Sequence, residues 1–165
     1  SLLVYSPIRA FNRSHVVTNG DQTDTIIDSL REGHTFQDAL MTRTFEEDPP
    51  ILTPRIAGIV DLDDNRSAYK LAILKALESG GASRQFFTYE AMLGVGHYIT
   101  TYVDDGNPPP SFQGEPHVVE LPETLDDTAE QFWELLDEDN RVSIVAKSIN
   151  IESGKSHLKV INKYG

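Results

Sequence analysis

A chain of 165 residues is long enough for one domain with a sizeable core, and 39% hydrophobic against 24% charged residues is an ordinary globular balance. The net charge of −12 excludes nonspecific binding to nucleic acid or acidic membranes, which takes clustered Lys and Arg. It leaves a small phosphorylated ligand open, because screening over about 10 Å lets a local arginine pocket act against the global sign. Cysteine is absent, which excludes disulfides and thiolate metal sites and fits a reducing cytoplasm, and no apolar run reaches membrane-spanning length.

In chain order, "SLLVYSPIRAF" reads as extended because Pro7 blocks a helix, and "SHVVT" follows a polar break, so residues 2–9 and 14–18 form an expected hairpin. A helix is expected from about Asp24, with Thr23 or Asp24 as its cap and Gly33 as its stop. A second helix should follow Thr35, burying Phe36, Leu40 and Met41. "RIAGIVDL" (55–62) reads as a buried strand, and "AYKLAILKAL" (68–77) as another, although its Ala, Leu and Lys content suits a helix as well. "RQFFTYEA" and "HYITTYV" are aromatic and β-branched, hence strands, and 104–116 is a Pro/Gly-rich loop. The strongest helical pattern is "TLDDTAEQFWELLDED", with Leu125, Ala129, Phe132, Trp133 and Leu136 on one face. Its acidic residues form the solvated face. "RVSIVAKSINI" and "SHLKVINKYG" close the chain as a hairpin around "ESGK". About nine strands with three helices predict an α+β fold with helices on sheet faces. No Gly-rich phosphate loop leads from a strand into a helix.

Four segments are unusual together: "VYSPIR", "VTNGDQTDTI", "TFEEDPP" and "TPRIAGIV". Their order and wording resemble the archaeal-type inosine monophosphate (IMP) cyclohydrolase family and its bacterial relatives. The matches are Tyr5, Ile8 and Arg9; the turn Asn19, Gly20, Thr23, Asp24, Thr25 and Ile26; Glu46 and Asp48; and Thr53 to Ile56. "FFTYE", "GVGHYI" and "DGNPPPSFQGEP" resemble the bacterial branch, so the likeness covers nearly the whole chain. Family members begin with a further, arginine-bearing segment, so the resemblance implies a single domain over 1–165 lacking its N-terminal strands. It also implies a four-layer αββα sandwich like that of the N-terminal-nucleophile hydrolases, without their self-processing.

The activity implied is the last step of purine synthesis. A formamido group and a neighbouring carboxamide on an imidazole ribonucleotide close into a ring and lose water. The carboxamide nitrogen must shed a proton as it attacks, and the formyl oxygen gains charge before leaving, so the reaction needs a base, an acid and oxyanion donors. Neither cofactor nor metal is expected. The five histidines show no His-x-x-x-His spacing, and His97 reads as structural. The resemblance assigns Tyr5 as proton donor or oxyanion ligand, Glu46 as holder or base for the carboxamide nitrogen, and Arg55 as phosphate clamp or orienter of Glu46. Arg9, Asn19, Gly20, Thr23, Asp24 and Thr25 are the expected substrate-binding set. The partner expected is a purine ribonucleotide, not nucleic acid or membrane, and a homo-oligomer would bury the aromatic strands.

Each residue also has a plainer reading. Tyr5 could be packing, the polar turn a tight bend with a helix cap, Glu46 surface charge, and Arg55 or Arg9 an ion-pair partner. Two rival functions follow: a non-catalytic purine-nucleotide-binding domain, and an amidohydrolase using Ser1 as an N-terminal nucleophile.

Overall fold

The computed structural model describes residues 5–165. Ser1, and with it the nucleophile reading, lies outside the described residues, as does the start of the expected 2–9 strand. The fold is mixed α/β with antiparallel sheets, in agreement with α+β. The described residues cluster into two compact units, 5–91 with 97–117 and 92–96 with 118–165.

The first unit is built on a five-stranded antiparallel meander. Its strands are β1 (Ile8–Phe11), β2 (Ser14–Thr18), β3 (Arg55–Asp61), β4 (Tyr69–Ala76) and β5 (Ala82–Tyr89), in that spatial order. The ambiguous 68–77 run is therefore a strand, with Ala72, Ile73 and Leu74 all fully buried. Side chains alternate across a strand, so the register puts Val16, Ala57, Ile59, Ala72 and Leu74 on one face. Helices α1 (Gln22–Arg31) and α2 (Phe36–Met41) cover that face through Ile26, Ile27, Phe36, Ala39 and Leu40, which close the core. Thr35 caps α2 reciprocally with Asp38 as expected, whereas Met41 is 55% exposed instead of buried, because α2 ends there.

The start of α1 also differs from expectation. The helix begins at Gln22, so Thr23 and Asp24 lie inside its first turn, and Asp21 is the boundary residue. The Asp21 side chain makes no capping bond. Gly33 stops the helix with φ +84°, the left-handed conformation that glycine adopts freely. After β5, strand β6 (Val95–Tyr98) is shorter than the "HYITTYV" run and ends before Ile99. The Pro/Gly loop then leads to β7 (His117–Glu120), which pairs with β6 and which the composition does not announce.

In the second unit, α3 (Leu125–Leu135) packs on the antiparallel hairpin of β8 (Ser143–Ile149) and β9 (Ser156–Asn162). Thr124 caps α3 by accepting from Asp127 N at 3.1 Å. Ala129 is fully buried and Phe132 and Trp133 are half-buried, but Leu136 falls past the helix end and is 42% exposed. Arg141 lies 4.5 Å over the Trp133 ring. Among the described residues no helix is long and apolar enough to cross a membrane.

Candidate functional site

At the end of the sheet where β2 passes into α1 and β3 begins, Tyr5, Asn19, Gly20, Asp21, Glu46, Glu47, Asp48 and Arg55 line a cavity of about 410 Å³. Within it Arg55 Nη1 lies 3.2 Å from Glu46 Oε1, and the Tyr5 hydroxyl donates to the Asn19 carbonyl at 2.8 Å. Six of the residues singled out from the sequence thus share one cavity: Tyr5, Asn19, Gly20, Glu46, Asp48 and Arg55.

The dense polar turn is largely committed to itself. Asn19 Oδ1 accepts from Ile56 N at 2.9 Å and Gln22 Nε2 at 3.0 Å, while its Nδ2 donates to the Pro54 carbonyl at 2.8 Å and to Thr101 Oγ1 at 3.2 Å. Thr23 is fully buried, its hydroxyl 2.5 Å from that of Thr18 and donating to the Gly20 carbonyl at 3.0 Å. Burial without these bonds would cost each hydroxyl roughly 1–3 kcal/mol by mutational measures. Asn19 therefore splices the start of β3 onto the end of β2, and Thr23 braces the bend. Thr25 accepts from Arg43 Nη1 at 3.0 Å. Arg9 and Asp24 form an ion pair with each other, and neither lines the cavity.

Arg55 is only 11% exposed at its side chain and is gripped by three acceptors. Nη1 donates to Asp21 Oδ1 at 2.6 Å and to Gln22 Oε1 at 2.7 Å, and faces Glu46. The same Asp21 oxygen accepts from Arg43 Nη2 at 2.7 Å, which explains why it caps nothing. These hydrogen bonds, Arg43 first, with the charges of Arg55 and Arg43, hold the Asp21 carboxyl below its usual range against the opposing pull of burial. Asp48 is also held low, by bonds from the Thr53 hydroxyl at 2.6 Å and Thr53 N at 2.7 Å. Of the two roles foreseen for Arg55, orienting Glu46 is the one this geometry fits. Gly20 leaves the necessary room: a Cβ there would fall 2.6 Å from Gln22 Oε1, 2.8 Å from Arg55 Nη1 and 2.9 Å from Glu46 Oε1.

Asp21, which lines the cavity, and Gln22 and Arg43, which bond to Arg55 and Asp21, are the members of this cluster that the sequence did not single out. Gln22 is fully buried at the head of a helix, and a polar residue at a helix start gives no sign of that. Arg43 carries no signal at all, since its partners are 18 and 22 residues away. Among the described residues no group of three or more His, Asp and Glu could hold a metal ion.

A phenol, a carboxylate and a guanidinium thus line one polar cavity. The sequence model of the family described as IMP cyclohydrolase-like protein matches residues 1–154, and the chain belongs to that family. It is similar to an IMP cyclohydrolase of Methanothrix thermoacetophila, 44% identical over 62 residues, which is 35% of this chain and 31% of that protein. The matched stretch thus spans under a third of that relative's length.

Proposed function

We propose that the chain catalyses the dehydrating ring closure of 5-formamidoimidazole-4-carboxamide ribonucleotide to IMP. The observation that carries this reading is the convergence of Tyr5, Glu46 and Arg55 on one cavity. Glu46, oriented by Arg55, takes a proton from the carboxamide nitrogen as that nitrogen forms the new C–N bond to the formyl carbon. The formyl oxygen becomes an alkoxide, and Tyr5 stabilises it and then supplies its proton. Glu46 returns its proton to that hydroxyl, which leaves as water, while the formamido N–H proton passes to the Tyr5 phenolate and the C=N bond of the purine forms. A donor aimed at such an oxyanion is worth roughly 3–4 kcal/mol, and a positioned base about 10²–10⁴ in rate.

Tyr5 now donates to the Asn19 carbonyl. In the reaction its proton turns from that carbonyl to the substrate oxygen, a change of partner that needs no new element. Gly20 and the braced Asn19 turn form the wall against which the ligand's polar edge lies. The cavity's carboxylates, Asp21, Glu46, Glu47 and Asp48, outnumber its one guanidinium, and Arg55 Nη1 is already engaged by Asp21 and Gln22. The ligand phosphate is therefore held outside this cavity. We read both units as one cyclohydrolase-like domain of the cytoplasm, with the four-layer αββα arrangement that family membership suggests.

The test is Tyr5→Phe in an ultraviolet ring-closure assay alongside calorimetric binding of the nucleotide. The expected result is a fall in kcat well beyond the loss in affinity. Equal losses in both would remove Tyr5 from the chemistry. A nucleotide that binds without closing would favour the non-catalytic binding domain instead.

A further inference from the structure

Residues 99–113 run from β6 into the Pro/Gly loop and fold back on themselves. Val103 N donates to the Pro110 carbonyl at 3.0 Å, Phe112 N donates to the Thr101 carbonyl at 3.3 Å, and Tyr102 pairs with Ser111. The returning arm is fastened to the sheet. Phe112 is buried, and Lys75 of β4, itself buried, donates to the Phe112 carbonyl and to Gln113 Oε1, both at 2.8 Å. Hydrogen bonds from a charged donor are roughly twice as strong as neutral ones, so this arm is firmly held.

The outgoing arm touches two walls of the candidate site through consecutive half-buried residues, neither of which lines the cavity. Thr101 Oγ1 accepts from Asn19 Nδ2 at 3.2 Å, and the Tyr102 hydroxyl lies 3.0 Å from Thr53 Oγ1. Thr53 in turn holds the segment that carries Glu46. Its carbonyl accepts from Glu46 N at 2.9 Å, and its hydroxyl donates to Asp48 Oδ2 at 2.6 Å.

Valence fixes the direction of these bonds. The Asp48 carboxyl is held ionised, chiefly by the Thr53 hydroxyl, so its oxygens accept. Thr53 has a single hydroxyl proton, and it goes to Asp48. Tyr102 is then the donor, which gives a chain from the Tyr102 phenol through the Thr53 hydroxyl to the Asp48 carboxylate, each bond polarising the next. Glu46 hangs from the Thr53 carbonyl, so the place of its carboxylate beside Arg55 depends on where Thr53 is held.

We propose that Tyr102 is a positioning residue: through Thr53 it fixes the backbone from which the Glu46 carboxylate faces Arg55. Tyr102 itself touches no substrate. Its effect on turnover rests on the ring-closing reading above; its effect on Glu46 does not.

The test is Tyr102→Phe, which keeps the ring and removes only the hydroxyl, beside Thr53→Val and the double variant. Ring-closing kcat is expected to fall about fivefold to tenfold in Tyr102→Phe, the contribution of one hydrogen bond, with KM within about twofold. Thr53→Val, which also frees Asp48, should lose at least as much, and the double variant no more than Thr53→Val alone. Unchanged kcat in Tyr102→Phe, or losses that multiply in the double variant, overturns the proposal. A second readout needs no turnover. With carbon-13 at the glutamate carboxyls, the Glu46 resonance is identified by its loss in Glu46→Gln. It is expected to shift in Tyr102→Phe while that of Glu32, at the far end of α1, stays in place. That result sustains the positioning role even if the chain closes no ring, in which case the ring-closing reading alone fails. An unmoved Glu46 resonance, or an equal shift at Glu32, overturns the proposal even if ring closure is observed.

Discussion

The helix-covered face of the sheet has a cavity at each end, and the larger one is the less promising. At the far end, about 560 Å³ is lined by Leu30, Phe36, Ile59, Asp61, Asp64 and Lys70 among others. Its charges hold a turn together. Asp64 accepts from Lys70, from Ser67 Oγ at 2.7 Å and from Arg66 N at 2.9 Å, which keeps its carboxyl far below the usual range. The Asn19 end is smaller, yet Glu46 there has an oriented guanidinium on one side and a phenol lining the same space. Volume does not choose a site; chemical groups left facing the cavity do.

The sharpest way to break this comparison is to remove one carboxylate from each end. Glu46→Gln should cut ring-closing kcat about 10²–10⁴-fold, the usual worth of a positioned base. Asp64→Asn should leave kcat within about twofold and lower only the melting temperature. Comparable kcat losses in steady-state assays of the two variants would erase the distinction between the ends.

A pair of glycines sharpens it further. Gly20→Ala drives a Cβ into the ends of Gln22, Arg55 and Glu46. Displacing reacting groups by a fraction of an ångström should cost about tenfold to a hundredfold in kcat/KM. Gly33→Ala meets nothing within 4 Å but sits at φ +84°. It should cost about 1 kcal/mol of stability, from left-handed backbone strain, with turnover unchanged. Denaturant melts and kinetics on both variants decide this.

The smallest expected effect is on acid stability. Asp21, Asp48 and Asp64 have folded pKa values below their unfolded value near 3.9. Their stabilisation is complete above about pH 5 and is lost as pH falls through the unfolded and then the depressed folded values. Asp21→Asn should therefore flatten the fall in stability between about pH 5 and 2, measured by urea melts across that range. An unchanged slope would mean that the Arg43–Asp21–Arg55 cluster contributes nothing to folding.

Much of this architecture was legible in local pattern. The capped start of α2, the hydrophobic run of β3 and the period of α3 each reflect short-range physics that a window of ten or so residues contains. The start of α1 was not: Thr23 and Asp24 read as its caps, whereas the helix begins at Gln22, behind an Asp21 whose oxygen two arginines from elsewhere in the chain claim. Nor could sequence separate Asn19 as a ligand contact from Asn19 as a splice between strands, since all four of its side-chain bonds go to residues brought near by folding or by the turn itself. Arg9 illustrates the same limit: its pairing with Asp24 crosses from β1 to α1. Tyr5, Glu46 and Arg55 were found through resemblance, and their placement in one cavity is a fact of the fold that no spacing rule contains.

The most direct measurement is the ultraviolet progress curve of the purified chain with 5-formamidoimidazole-4-carboxamide ribonucleotide, beside the uncatalysed reaction and Glu46→Gln. The account predicts enzyme-dependent appearance of IMP that Glu46→Gln nearly abolishes. Saturable nucleotide binding with ring closure no faster than in buffer, or full turnover by Glu46→Gln, would contradict it.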